Sequence, residues 1–298
     1  MKVLTNEEKA VYIKAASIVS VVLLIIGIWL WWVGVYTAKD DVFKAMLSNS
    51  LSTRGVTKII EQQNESGSVN QKAQAQYGAR NLVQVVTEIN QKTQEGDTKV
   101  ITNTIATPSD NYVKYQKIEV PNNSNTKLNF DGLVGQWGKQ TKPEGGASIF
   151  SEATLGIVLF GNLPSNQRAE LLSMMQDDSV YKVDYNSVAT QDLNGRKVYK
   201  YTVEINTKQY VEVLKKYDEM LGLGFAKDLN PEDYATAPAI KTTMYVDVLS
   251  RALSKLEYQD GSRVEEFTGY GIQKPIEVPQ QSIGRNELEQ KLQNILTQ

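Results

Sequence analysis

The 298-residue chain sets 32 Lys+Arg against 34 Asp+Glu, a net charge of −2, and contains neither cysteine nor histidine. So even a balance offers no basic stripe for nucleic acid and no polybasic patch for anionic lipid. Without Cys or His, a disulfide framework, an acylated Cys, the common zinc sites and Ser–His or Cys–His nucleophile systems are all excluded.

In chain order, the first feature is apolar. Lys2, Lys9 and Lys14 precede a run, 15–38, that holds no charged residue. As a helix it would be about 36 Å long, enough to cross a hydrocarbon core of roughly 30 Å. Trp29, Trp31, Trp32 and Tyr36 near its end suit a headgroup interface. Cleavage after Ala38 would put Tyr36 where a peptidase wants a small residue. The expectation is a cytoplasmic N-terminus (1–14), an uncleaved transmembrane signal-anchor helix (15–38) and an extracytoplasmic domain (39–282). A C-terminal amphipathic helix or tail (283–298) follows. The bilayer is then a partner, and the Lys bias places the short end inside the cell.

Past the anchor, 40–50 predicts a short helix, with Val42, Phe43, Met46 and Leu47 at helical spacing. Segments 53–63, 98–106, 111–120 and 133–140 are rich in Thr, Val, Ile and Tyr, several alternate apolar with polar, and 80–91 leans the same way: strands. Turn chemistry separates them at ESGS, QEGD, TPSDN, PNNSN and KPEGGAS. Ser151 and Ser165 are candidate caps for two helices, 151–160 and 165–177. Strands resume at 180–185 and 189–206, where Asn194-Gly195 signals a hairpin. An amphipathic helix covers 207–221, with Gly222 and Gly224 reading as its C-cap. Three strands follow over 240–272, with Asp260-Gly261 turning the last two. Last comes a helix near 286–296, capped by Asn286 with Glu289, whose stripe is Leu288, Leu292 and Ile295. The fold class is α+β: an N-terminal transmembrane helix, then a large curved antiparallel sheet (half-barrel) covered by a few helices.

Chemistry-bearing motifs are weak. Ser109–Asn111 (SDN), Ser179–Lys182 (SVYK) and Lys241–Thr243 (KTT) resemble the penicillin-recognising set, but in the wrong order and with Ser179 entering a strand. The acid pairs Asp40-Asp41, Asp177-Asp178 and Glu265-Glu266 read as solvated surface, since neighbours on a strand face opposite sides. Asn64-Glu-Ser66 and Asn122-Asn-Ser124 are sequons only in a eukaryote. No catalytic residue, metal ligand or cofactor is assigned, and the chain reads as no enzyme.

The strongest signal is the run LGIVLF at 155–160, apolar on every side of a helix, so that one face can pack on the sheet and the other needs a second layer or an apolar ligand. The stretch from 180 to 279, with its Gly-containing hairpin leading into an amphipathic helix, its YVD…LSK rhythm and its closing YGIQKPIEVP, resembles the bacterial LolA-like and LppX/LprG-like lipoprotein fold. The resemblance implies a non-catalytic carrier that holds a lipid or other apolar molecule between sheet and helices. It implies Leu155, Val158, Leu159, Leu172, Met175, Leu214, Tyr217 and Leu221 as the cavity lining. The transmembrane anchor would stand in place of the family's lipidated Cys. The rival reading is an envelope interaction module on the same fold, its core filled and its C-terminal helix offered to a protein partner.

Overall fold

In the computed structural model of the chain, residues 20–29, 31–64, 66–93, 96–121, 128–141, 149–175, 179–259, 261, 263–272 and 274–297 are described. Residues 1–19 with their lysines lie outside these, as do most of the PNNSN and KPEGGAS turns, the Asp177-Asp178 pair, Asp260 and the second sequon.

One sheet organises the molecule. Its first half is a meander of β1 (Gly55–Asn64), β2 (Gly67–Gln76), β3 (Leu82–Thr93), β4 (Gly96–Ala106), β5 (Asp110–Glu119) and β6 (Trp137–Thr141). The second half comprises β7 (Tyr181–Val183), β8 (Ala189–Leu193), β9 (Arg196–Ile205), β10 (Ile240–Asp247), β11 (Leu253–Tyr258) and β12 (Val264–Thr268). The halves join where β1 pairs antiparallel with β12, Thr57 opposite Thr268. A two-residue strand, β13 (Ile283–Gly284), lies parallel to β6 at one edge. The order runs β13-β6-β5-β4-β3-β2-β1-β12-β11-β10-β9-β7, with β8 also on β9, so the sheet curves without closing. The Asn194-Gly195 hairpin forms as expected, with φ of 55° and 76° in the left-handed region that a primed turn requires.

Helices gather on one face. They are α2 (Lys39–Leu51), α3 (Ile149–Thr154), α4 (Ser165–Met174) and α5 (Thr207–Leu221). On α2, Val42, Phe43, Met46 and Leu47 are buried, as their spacing requires. Asn206 caps α5 by accepting from the Gln209 amide, and Gly222 ends it at φ 63°. The opposite sheet face is covered over Leu82, Ile105 and Tyr112 by Ile276 and Val278. The last helix, α6 (Arg285–Leu296), starts at Gly284, so Asn286 lies inside it instead of capping it. Its stripe is spent internally: Leu288 is buried against Phe130 and Leu133, with Leu292 and Ile295 beside them.

Two larger expectations also fail. The first is the anchor. Among the described residues the chain is helical over 20–29 (α1). Trp32–Tyr36 then widens into a π-helical turn, and α2 begins at Lys39. Among the described residues no helix is long and apolar enough to cross a membrane, so the assignment to a single-pass cell-membrane protein with a cytoplasmic N-terminus and an extracytoplasmic domain is withdrawn. The end of the apolar run is drawn onto the domain instead. Tyr36 donates to the Leu249 carbonyl at 2.9 Å, and the Arg251 guanidinium lies 3.8 Å from the centre of the Tyr36 ring. Tyr199 and Tyr201 donate to the carbonyls of Thr37 and Lys39. Trp29, Trp31 and Trp32 stand exposed, while Tyr36, expected beside them at an interface, is a docking residue.

The second is LGIVLF. Only Ile149–Thr154 is helical, and 155–163 is irregular chain. Gly156, Gly161 and Pro164 disfavour a helix there. Its amides also have other acceptors: Gly161 and Leu163 donate to the carbonyls of Ser50 and Leu51 at the end of α2.

Candidate ligand-binding site

The irregular segment 155–163 acts as a cover over the sheet. Side chains of alternate residues share a face, so on β1 Val56, Lys58 and Ile60 point together. Register adds Ala75 and Ala73 opposite Val56 and Lys58 on β2, and Phe267 and Glu265 opposite Lys58 and Ile60 on β12. Ala73 and Ala75 are small, which leaves a low place in the floor. Over it lie Ala153, Thr154, Gly156, Val158 and Phe160, and between floor and cover remains a cavity of about 10 Å³.

Three tyrosines from other elements hold the cover by its carbonyls. Tyr181 of β7 donates to Ile157 at 2.7 Å, Tyr217 of α5 to Phe160 at 2.6 Å, and Tyr210 of α5 to Gly156. Burial pushes the phenols of all three up from their ordinary value. Phe160 also stacks on Phe267, with ring centres 5.2 Å apart.

Two charged side chains face this apolar layer. Lys58 is 6% exposed and Glu265 2%. Burial pulls the Lys58 ammonium below its usual range; Glu265 opposes this, and Arg263 adds to it. Arg263 Nε touches a Glu265 oxygen at 2.7 Å, in a geometry that is an ion pair but not a hydrogen bond. Glu265, read from sequence as solvated surface, is therefore interior.

The eight residues implied by the resemblance all join one core. Val158, Leu159, Met175, Leu214 and Tyr217 are buried in it, and Leu155, Leu172 and Leu221 pack against it half-buried. Of the eight, Val158 borders the cavity. Sequence reasoning missed Lys58 and Glu265, although strand alternation in GVTKIIEQQN and VEEFT places both on the apolar side. A wider cleft of about 900 Å³ lies at the sheet end among Arg54, Asn194, Arg196, Leu253, Tyr270 and Ile272; its lining mixes polar with apolar side chains, and it is open to solvent instead of enclosed. The penicillin-site triplets do not converge: Ser109 precedes β5, Lys182 is on β7 and Lys241 on β10, with six strands between β5 and β10.

No protein-family model matches the chain. No curated protein sequence matches it. Among solved structures it is similar to the crystal structure of LprF from Mycobacterium bovis, at 11% identity and a TM-score of 0.41, covering 81% of this chain and 95% of that one.

Proposed function

We propose that this chain is a non-catalytic binding protein for a lipid or other apolar molecule, held against the curved sheet where residues 155–163 now lie. The observation that carries the reading is the nature of the cover. It is irregular chain over a largely apolar floor, fastened through tyrosine hydroxyls on β7 and α5 and through the Gly161 and Leu163 amides to the end of α2, and not through strand pairing with the floor. Such a segment lifts by exchanging a few hydrogen bonds, without breaking the sheet. Ligand burial then supplies roughly 25 cal/mol per Å² of apolar surface, with no covalent step.

A second reading, an interaction module with a filled core, draws on the size of the cavity, about 10 Å³. Its contact surface would not be the α6 stripe, which is occupied by Phe130 and Leu133.

Native mass spectrometry of the full-length chain, with organic-solvent extraction of the same sample, separates the two. A stoichiometric apolar species, or saturable uptake of the neutral dye Nile red, supports the binding protein. A clean apo mass with no uptake supports the filled module.

A further inference from the structure

Lys58 is a buried cation in a largely apolar layer, with Glu265 as a shared and partial counter-charge. It is 6% exposed, and among the described residues it makes no hydrogen bond and no ion pair within 4 Å. Its neighbours around the cavity include Val56, Ala73, Val158, Phe160 and Phe267. Glu265 is the one acid acting on it, and that carboxylate is already engaged by Arg263 at 2.7 Å. Two cations thus face one anion, a balance that an apolar interior tolerates poorly. A neutral side chain of similar length would fill the same place without that cost.

The position of Lys58 adds a second argument. It sits on β1, in the sheet, and not on the cover, so it remains in the floor when 155–163 moves. Directly opposite it, Ala73 leaves room for a small group beside the ammonium.

Building on the reading of the chain as an apolar-ligand binder, we infer that its ligand bears an anionic head, a carboxylate or phosphate, and that Lys58 is the counter-ion of that head. A charge-assisted N–H···O bond from Lys58 would complete the site, and the apolar tail would take the place of Val158 and Phe160 over the floor.

The test uses the full-length chain and displacement of Nile red by two molecules with the same tail, oleate and oleyl alcohol. Oleate is expected to bind about tenfold or more tighter than the alcohol, the size of one charge-assisted pair. Lys58→Met should bring the two within about twofold by weakening oleate alone, and Lys58→Arg should keep the preference. Equal binding by the wild type, or a preference that survives Lys58→Met, overturns the inference while apolar binding stands. Should Lys58→Met fail to fold, the wild-type ratio and Lys58→Arg still decide. Binding of neither molecule sinks the apolar-ligand reading itself. Inorganic phosphate should not compete; if it displaces oleate at similar concentration, the site takes a free anion and not a headgroup.

Discussion

The hydroxyl of Tyr217, on the buried face of α5, donates to the carbonyl oxygen of Phe160 at 2.6 Å, across 57 residues of chain. Tyr217→Phe removes that donor and leaves a buried carbonyl without it, at a cost of about 1–3 kcal/mol. The loss should be concentrated in the cover. Hydrogen exchange at the amides of 157–161 is expected to speed up more than exchange in β1 or β9. Uniform acceleration across the sheet would show that the cover does not open separately.

Lys58→Met should leave the fold as stable or raise its stability by about 1 kcal/mol at pH 7, because an apolar side chain replaces a poorly solvated ammonium. The sign with pH follows from the lowered proton affinity of Lys58 in the folded state. Stability from this group is present above its unfolded value near 10.5 and is lost as pH falls through the folded value. The advantage of Lys58→Met over wild type is therefore larger at pH 7 than at pH 10. Urea midpoints at the two pH values measure it, and an advantage that grows towards pH 10 would contradict the burial of a charged Lys58.

Alkaline pH should unfold the protein through its tyrosines. Tyr245 is pushed up to about 12, first by burial and then by its 2.9 Å hydrogen bond to Glu257. Burial likewise raises Tyr77, Tyr181 and Tyr270. Groups raised on folding contribute stability that is whole below pH 10 and lost as pH climbs through the folded values. Melting temperatures should be flat up to pH 9.5 and fall steeply beyond 10.5. Ultraviolet phenolate titration should show these rings ionising together with unfolding.

The docking of α6 rests on close contact. A Cβ on Gly138 would come within 2.8 Å of Leu288 Cδ2, and Leu288 is 1% exposed. Leu288→Ala should cost about 2–5 kcal/mol, and Gly138→Val should push α6 off β6. Faster proteolysis between 283 and 298 reads both out. A helix held in reserve for a partner would tolerate either change.

Arg251 fastens the π turn at Trp32–Tyr36: its Nη2 donates to the Tyr36 carbonyl at 2.6 Å, and its guanidinium covers the Tyr36 ring. Arg251→Ala should expose residues 32–38 to protease and lower overall stability by about 1–2 kcal/mol. Unchanged cleavage there would mean that Tyr199 and Tyr201 alone hold this segment.

Much of the sheet was legible because its strands alternate or carry unmistakable turns, as at Asn194-Gly195. β2 was not, since GSVNQKAQAQ turns only Ala73 and Ala75 to the buried side and so has little apolar signal. LGIVLF misled for the opposite reason. A run that is apolar throughout says that it is enclosed, not that it is helical, and the amides just after it, of Gly161 and Leu163, found acceptors on α2 that no local pattern records. The buried Lys58 and Glu265 were both readable from strand parity, but Glu265 was read as solvated surface on charge type, and Lys58 was not singled out. The apolar run at 15–38 was measured correctly by length; what length could not register was Tyr36 and Arg251 meeting across 215 residues.

The seam between β1 and β12 has a consequence for synthesis. β1 to β6 leave the ribosome as a meander whose pairings are all between neighbours in sequence, yet the partner of β1 on its other side is made more than 200 residues after it. Throughout that interval β1 is a free edge carrying Val56 and Ile60, the kind of strand to which other chains add. The inward Lys58, set midway between those two residues, is a charge that a stray incoming strand would have to cover, the kind of feature that disfavours pairing at an open edge.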